Sequence, residues 1–224
     1  MSDRIKGDMK KTKVIFLGTP DFAASTLRVL HENPGIDVEL VIMQPDKPVG
    51  RKGEMTPPPI KSLAEKYGLT VMQPDSINQD DIIDMVRRAE PDFIVVVAYG
   101  QILGSEWLNL AEKEILNVHA SLLPRWRGAS PIQSSVLAGD DVTGVSIMGV
   151  RKKMDTGPVY LQKEVSIENK NSYELFDELS EMGADALLEV VLGFEKFSPM
   201  KQDNGQATYC KKITRKSGEV SLDD

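Results

Sequence analysis

Residues 92–98, Asp-Phe-Ile-Val-Val-Val-Ala, are apolar almost throughout and β-branched at their centre. A strand without a polar face must be covered on both sides. Strands in the middle of a parallel sheet, flanked by helices above and below, meet that condition. Residues 13–18 read the same way and lead through Thr19-Pro20-Asp21 into a helix, with a cap, a first-turn proline and a dipole-matched acid. Further strands are expected at 38–43, 70–72, 115–118, 143–148 and 158–166, the one at 143–148 alternating like a half-buried strand. Helices are expected at 60–67, 79–89 and 131–138. A last helix starts from a capping-box pattern at Asn171 and Glu174 and carries Leu175, Leu179, Met182, Ala186, Leu187, Val190 and Val191 at helical spacing. Residues 44–59, dense in proline, glycine and charge, read as a long loop. The alternation implies an α/β fold with a doubly wound, mainly parallel sheet, in which ligands bind beyond the carboxyl ends of the strands.

Composition narrows the function classes. One cysteine and two histidines in 224 residues exclude a disulfide framework and a structural zinc cluster, and a reducing, cytoplasmic setting is expected. The longest purely apolar run, residues 93–98, is far too short for a membrane span. A net charge of −7 leaves nucleic-acid binding to local basic segments, of which 47–61 and 211–216 are candidates. Gly18-Thr-Pro-Asp-Phe22 sits where a dinucleotide fingerprint would sit but lacks the second and third glycines, so a tight turn is preferred.

The segment Asn117-Val-His-Ala-Ser-Leu-Leu-Pro-Arg-Trp-Arg-Gly-Ala-Ser-Pro131, followed by Met154-Asp-Thr-Gly157, carries the chemistry. If 115–119 is extended, Asn117 and His119 share a face, so an amide donor and a titratable ring enter one pocket. Such a pair can hold a carbonyl oxygen that gains charge during nucleophilic addition, which points to acyl transfer. His119 taken alone could be a satisfied strand-end residue, and Asp155 an ordinary turn residue. Trp126, between two arginines, could serve nucleic acid or cover the edge of the core. His31 reads as a surface residue near a helix end.

From about Lys13 to Ile213 the chain resembles the methionyl-tRNA formyltransferases, within the wider group of enzymes that use 10-formyltetrahydrofolate. The resemblance rests on Phe16-Leu-Gly-Thr-Pro-Asp-Phe22, Gln44-Pro-Asp-Lys-Pro-Val-Gly-Arg51, Val97-Ala-Tyr-Gly-Gln-Ile-Leu103, residues 117–133, Met154-Asp-Thr-Gly157 and Ala207-Thr-Tyr209. It implies a Rossmann-like formyltransferase fold and transfer of a formyl group to the α-amino group of methionyl initiator tRNA through a tetrahedral intermediate, without a metal. A nucleotide-linked amino sugar or another small amine is the alternative acceptor. By motif, Asn117 would donate to the formyl oxygen and His119 would stabilise the intermediate. Asp155 would hold the imidazole in its useful tautomer and help remove the amine proton, through water. The folate would lie against Tyr99, Gly100, Gln101 and Leu103 and against Ser121, Leu122, Leu123 and Pro124. Lys47, Arg51 and Lys52 would meet the tRNA.

The same resemblance divides the chain into a polar tail at 1–11, a catalytic domain at 12–205, and a linker at 206–224 towards a tRNA-gripping domain absent from this sequence. A monomer is expected.

Overall fold

The computed structural model describes residues 10–50 and 52–218, so Arg51 and most of the segment read as a tail lie outside the described residues. In chain order the elements are β1 (Thr12–Gly18), α1 (Ala24–Glu32), β2 (Ile36–Ile42), β3 (Lys47–Val49), β4 (Glu54–Thr56), α2 (Pro59–Lys66), β5 (Val71–Met72), α3 (Asp80–Ala89), β6 (Phe93–Val97), β7 (Glu114–His119), β8 (Arg127–Gly128), α4 (Pro131–Leu137), β9 (Val142–Gly149), β10 (Val159–Ser166), α5 (Ser172–Leu192) and β11 (Tyr209–Cys210). Seven strands form the main sheet in the order β10-β9-β7-β6-β1-β2-β5. The five strands from β7 to β5 run parallel, and β9 and β10 are antiparallel additions at one edge. The chain winds outward from β1 in both directions, so the topological switch lies between β1 and β6.

Period-two alternation in the central strands feeds two cores. Val14 and Phe16 of β1, Phe93 and Val95 of β6, and Leu116 and Val118 of β7 face α1, α2, α4 and α5. Ile15 and Leu17, Ile94 and Ile115 face α3 and the short helical turn Ser105–Asn109, whose Trp107 is fully buried. Each large side chain so buried contributes about 1.5–3 kcal/mol, and that gain offsets the cost of ordering the chain. α5 begins as expected: Asn171 accepts from Tyr173 N and Glu174 N, while Glu174 accepts from Asn171 N. Gly183 in its interior costs about 1 kcal/mol in helix propensity. The small residue is needed there, because a Cβ would stand 2.6 Å from Val118 Cγ1. No helix among the described residues is long and apolar enough to cross a membrane.

Three local expectations are corrected. Thr19 does not cap a helix: its Oγ1 donates to Tyr99 O (3.0 Å) and accepts from Gln44 N (3.3 Å), joining the ends of β1, β2 and β6 across the switch point. β9 is buried on both faces rather than one, because Ser121–Leu123 covers its small-residue side. Ser146 Oγ donates to Ser121 O and accepts from Leu123 N. Residues 44–59 contain the hairpin β3–β4 rather than an unbroken loop, with Gly50 and Gly53 at positive φ.

Candidate active site

β7 ends at the site. Its extended backbone sends Asn117 and His119 to the sheet face shared by Ile115, which α3 and the turn at Trp107 cover lower down. Asn117 is half-buried there, and His119 is 6% exposed. His119 Nε2 lies 2.9 Å from Trp126 O. A carbonyl oxygen can only accept, so Nε2 carries the proton and a neutral ring leaves Nδ1 with its lone pair free. Nδ1 faces Asp155 Oδ2 at 4.0 Å. That separation is too long for a hydrogen bond but short enough for the carboxylate to stabilise a protonated ring. The useful tautomer is therefore fixed by Trp126 rather than by Asp155.

The two residues that complete this geometry are held in uncommon backbone conformations. Trp126 has φ 58° and Asp155 φ 52°, left-handed values that cost of order 1 kcal/mol each and persist only when neighbours enforce them. Around Trp126 the enforcement is a latch: the indole Nε1 donates to Asp140 Oδ2 (2.7 Å), Arg125 pairs with both Asp140 oxygens, and its guanidinium stacks 4.6 Å over the indole. The Arg125 guanidinium holds the Asp140 carboxyl below the usual carboxylate range, against the opposing effect of burial, and the indole N–H adds to it. Trp126 thus serves this latch. Around Asp155, Gly128 N donates to Oδ2 (2.8 Å), and Gln202 Nε2 donates to Asp155 O (2.9 Å) and Gly157 O (2.7 Å).

The residues expected at the folate separate into two groups. Tyr99 is 2% exposed, and its ring packs with Ile15, Leu17 and Trp107. Burial pushes its phenol up to about 12, and the hydroxyl has no hydrogen-bond partner among the described residues. Gln101 laces loops together, accepting from Ile77 N (2.7 Å) and donating to Asp75 O (3.2 Å). Ser121 Oγ donates to Arg125 O, and Leu123 packs against Met148 and Val159. Tyr99, Ser121 and Leu123 are buried, and Gln101 is half-buried. Gly100 is exposed, while Leu103, Leu122 and Pro124 are half-buried. A groove of about 330 Å³ along Leu122, Trp126, Asp140 and Thr143 lies on another side of the same loop, and its lining includes none of Asn117, His119 and Asp155.

Lys47 and Lys52 sit on the exposed hairpin, Lys47 donating to Gln44 Oε1 (3.3 Å). Lys61, from the same basic segment, is paired with Asp46. His31 stacks on Tyr67 at 4.2 Å. Among the described residues no group of three His, Cys, Asp or Glu side chains is placed to hold a metal. Sequence reasoning missed the Trp126 carbonyl, the Gly128 amide and Gln202. The first two act through main-chain atoms, which leave no residue-type signal. Gln202 lies 47 positions from the turn it holds. Within the segment expected as a linker, Tyr209 and Cys210 pair as β11 with β8, and Thr208 bonds to Pro124 and Trp126.

Residues 11–191 match the model of the formyl transferase family. The chain is 44% identical over 212 residues to the methionyl-tRNA formyltransferase of Caldicellulosiruptor saccharolyticus, covering 94% of this chain and 68% of that protein. It is 42% identical over 215 residues to the methionyl-tRNA formyltransferase of Sulfurovum sp., covering 96% and 70%. Among solved structures, the methionyl-tRNA formyltransferase from Clostridium thermocellum matches with a TM-score of 0.63 at 18% identity, over 95% of this chain and 78% of that one. Glycinamide ribonucleotide transformylase 1 from Symbiobacterium toebii matches with a TM-score of 0.71 at 16% identity, over 90% and 99%. These structures share the fold, while the family model and the curated relatives span the strands, the loops and the turn that build the site. The chain belongs to the formyl transferase family.

Proposed function

We propose that this chain transfers a formyl group from 10-formyltetrahydrofolate to the α-amino group of methionine esterified to initiator tRNA. The observation that carries the chemistry is that Asn117 and His119 share one face of β7, with His119 Nε2 held 2.9 Å from Trp126 O and Nδ1 facing the Asp155 carboxylate at 4.0 Å. The acceptor is supported by relatives named methionyl-tRNA formyltransferase, 42–44% identical over nearly the whole chain.

The bound folate supplies the formyl group, and the chain's own residues handle charge and protons. Asn117 donates to the formyl oxygen as it gains negative charge. His119 Nδ1 takes the proton lost by the attacking amine, directly or through a water, and delivers it to N10 as the C–N10 bond breaks. The imidazolium formed in between faces Asp155, whose Oδ2 is fixed by the Gly128 amide. Gly100, Leu103, Leu122 and Pro124 present surface to the folate. Tyr99, Gln101, Ser121 and Leu123 support that surface from behind. No step uses a metal. The basic segment with Lys47, Arg51 and Lys52 approaches the tRNA, where a guanidinium can meet phosphate or stack on a base.

The test offers 10-formyltetrahydrofolate with methionyl-tRNA or with a nucleotide-linked amino sugar, and identifies products by mass spectrometry. Formyl-methionyl-tRNA is expected. Formylation of the amino sugar alone would transfer the assignment to a small amine.

A further inference from the structure

Arg127 is 1% exposed, and among the described residues every hydrogen-bond acceptor around its guanidinium is neutral. Nε and Nη2 both donate to Gln202 Oε1 (3.0 and 2.7 Å), Nη2 also donates to Asn204 Oδ1 (3.0 Å), and Nη1 donates to Tyr209 OH (3.3 Å). Among the described residues no carboxylate stands within 4.0 Å of it. Removing a charge from water without a counter-charge is expensive, and four hydrogen bonds only partly offset that cost. An apolar residue of similar volume would hold Gln202–Tyr209 in place more cheaply. The guanidinium does something an apolar residue could not do: it decides which way the Gln202 amide points. Two N–H groups converge on Oε1, so the amide nitrogen must face the opposite direction. There it meets Asp155 O and Gly157 O, which accept only.

We infer that Arg127 and Gln202 are positioning residues that hold the Asp155 carboxylate at His119 by clamping both carbonyls of the Asp155–Gly157 turn. The clamp rests on the catalytic reading of His119 and Asp155 given above. Gln202 is 7% exposed and bonds two carbonyls flanking Thr156, which pins the turn on either side of its middle residue. That keeps Asp155 at φ 52° and its Oδ2 on the Gly128 amide. Arg127 and Gly128 are neighbours, so one two-residue strand supplies both the clamp's anchor and the carboxylate's donor. Residues after α5 therefore complete the site although they lie beyond the span matched by the family model, which ends at 191. A displacement of about 1 Å at a reacting group can slow a reaction by up to about a hundredfold, so a clamp of this kind acts on the rate and leaves binding largely alone.

Three variants of the full chain test it: Gln202→Met removes both sets of bonds at similar volume, Gln202→Glu keeps the acceptor for Arg127 but replaces the donor with an oxygen that faces two carbonyl oxygens, and Asp155→Asn removes the carboxylate. Single-turnover formylation of methionyl-tRNA should fall about ten- to a hundredfold in Gln202→Met and in Gln202→Glu, with 5-formyltetrahydrofolate affinity within about twofold of the parent. Adding Gln202→Met to Asp155→Asn should cost almost nothing further, because both act through one carboxylate. Exchange of the Gly128 amide hydrogen, read by NMR without substrate, should quicken in both Gln202 variants. Asp155→Asn slow while both Gln202 variants keep the parent rate and Gly128 protection would overturn the clamp alone. Parent rates in Asp155→Asn itself would overturn the catalytic reading and the clamp together.

Discussion

At His119 the outcome depends on which ring nitrogen carries the proton. The expectation from sequence gave Asp155 the task of choosing the tautomer, because a carboxylate beside an imidazole commonly does so. The main chain does it instead: Trp126 O lies 2.9 Å from Nε2, and Asp155 stands back at 4.0 Å from Nδ1. Asn117 and His119 were legible because their spacing of two is the period of a strand. Asp155 was legible only through its turn residues. The carbonyl that fixes the ring could not be read, since every residue type carries one. Heteronuclear NMR of the neutral ring should show a protonated Nε2 and an unprotonated Nδ1 for His119. The opposite pattern would remove Nδ1 as the proton acceptor.

At the scale of elements, the site depends on short pieces rather than on the large sheet. Gly128 in β8 has φ 123°, and a Cβ there would stand 2.1 Å from Cys210 O. Gly128→Ala should therefore break the β8–β11 pairing and cost about 2–4 kcal/mol, combining backbone strain with a lost ladder. A denaturant melt measures it, and a loss below about 0.5 kcal/mol would show that β11 does not depend on this close approach. The Asp140 latch carries a pH dependence. Its carboxyl lies below the ordinary carboxylate value when folded, chiefly through the Arg125 hydrogen bonds. The unfolded chain thus binds the proton more readily, and the stabilisation is fully present above the ordinary value near 4 and lost as pH falls through the lower folded one. Arg125 is about half exposed, so solvent screening limits the pair to about 1 kcal/mol. The melting temperature of the parent should exceed that of Asp140→Asn at pH 7, and the difference should vanish towards pH 2. A difference that stays constant over that range would separate the latch from the charge of Asp140. Pattern reading saw β9 as half-buried because Gly144 and Ser146 look like a solvent face. A small polar face against a loop carries the same signature as one against water.

For the whole molecule, long apolar strands and a capped amphipathic helix made the layered α/β architecture readable, because those signals come from covering a sheet on both sides. What could not be read was chiefly non-local, Thr19 joining three strand ends and residues 202–210 returning to the loop after β7, together with a short exposed hairpin within residues 44–59 that has no apolar alternation. The first two meet at the carboxyl ends of the central strands, where formyl transfer is proposed. The most direct test is rapid-quench, single-turnover formylation of methionyl-tRNA at saturating 10-formyltetrahydrofolate, comparing the parent with His119→Ala. Formyl transfer through His119 requires formyl-methionyl-tRNA from the parent and a rate at least about a hundredfold lower in the variant, with folate affinity nearly unchanged. Equal single-turnover rates would contradict it.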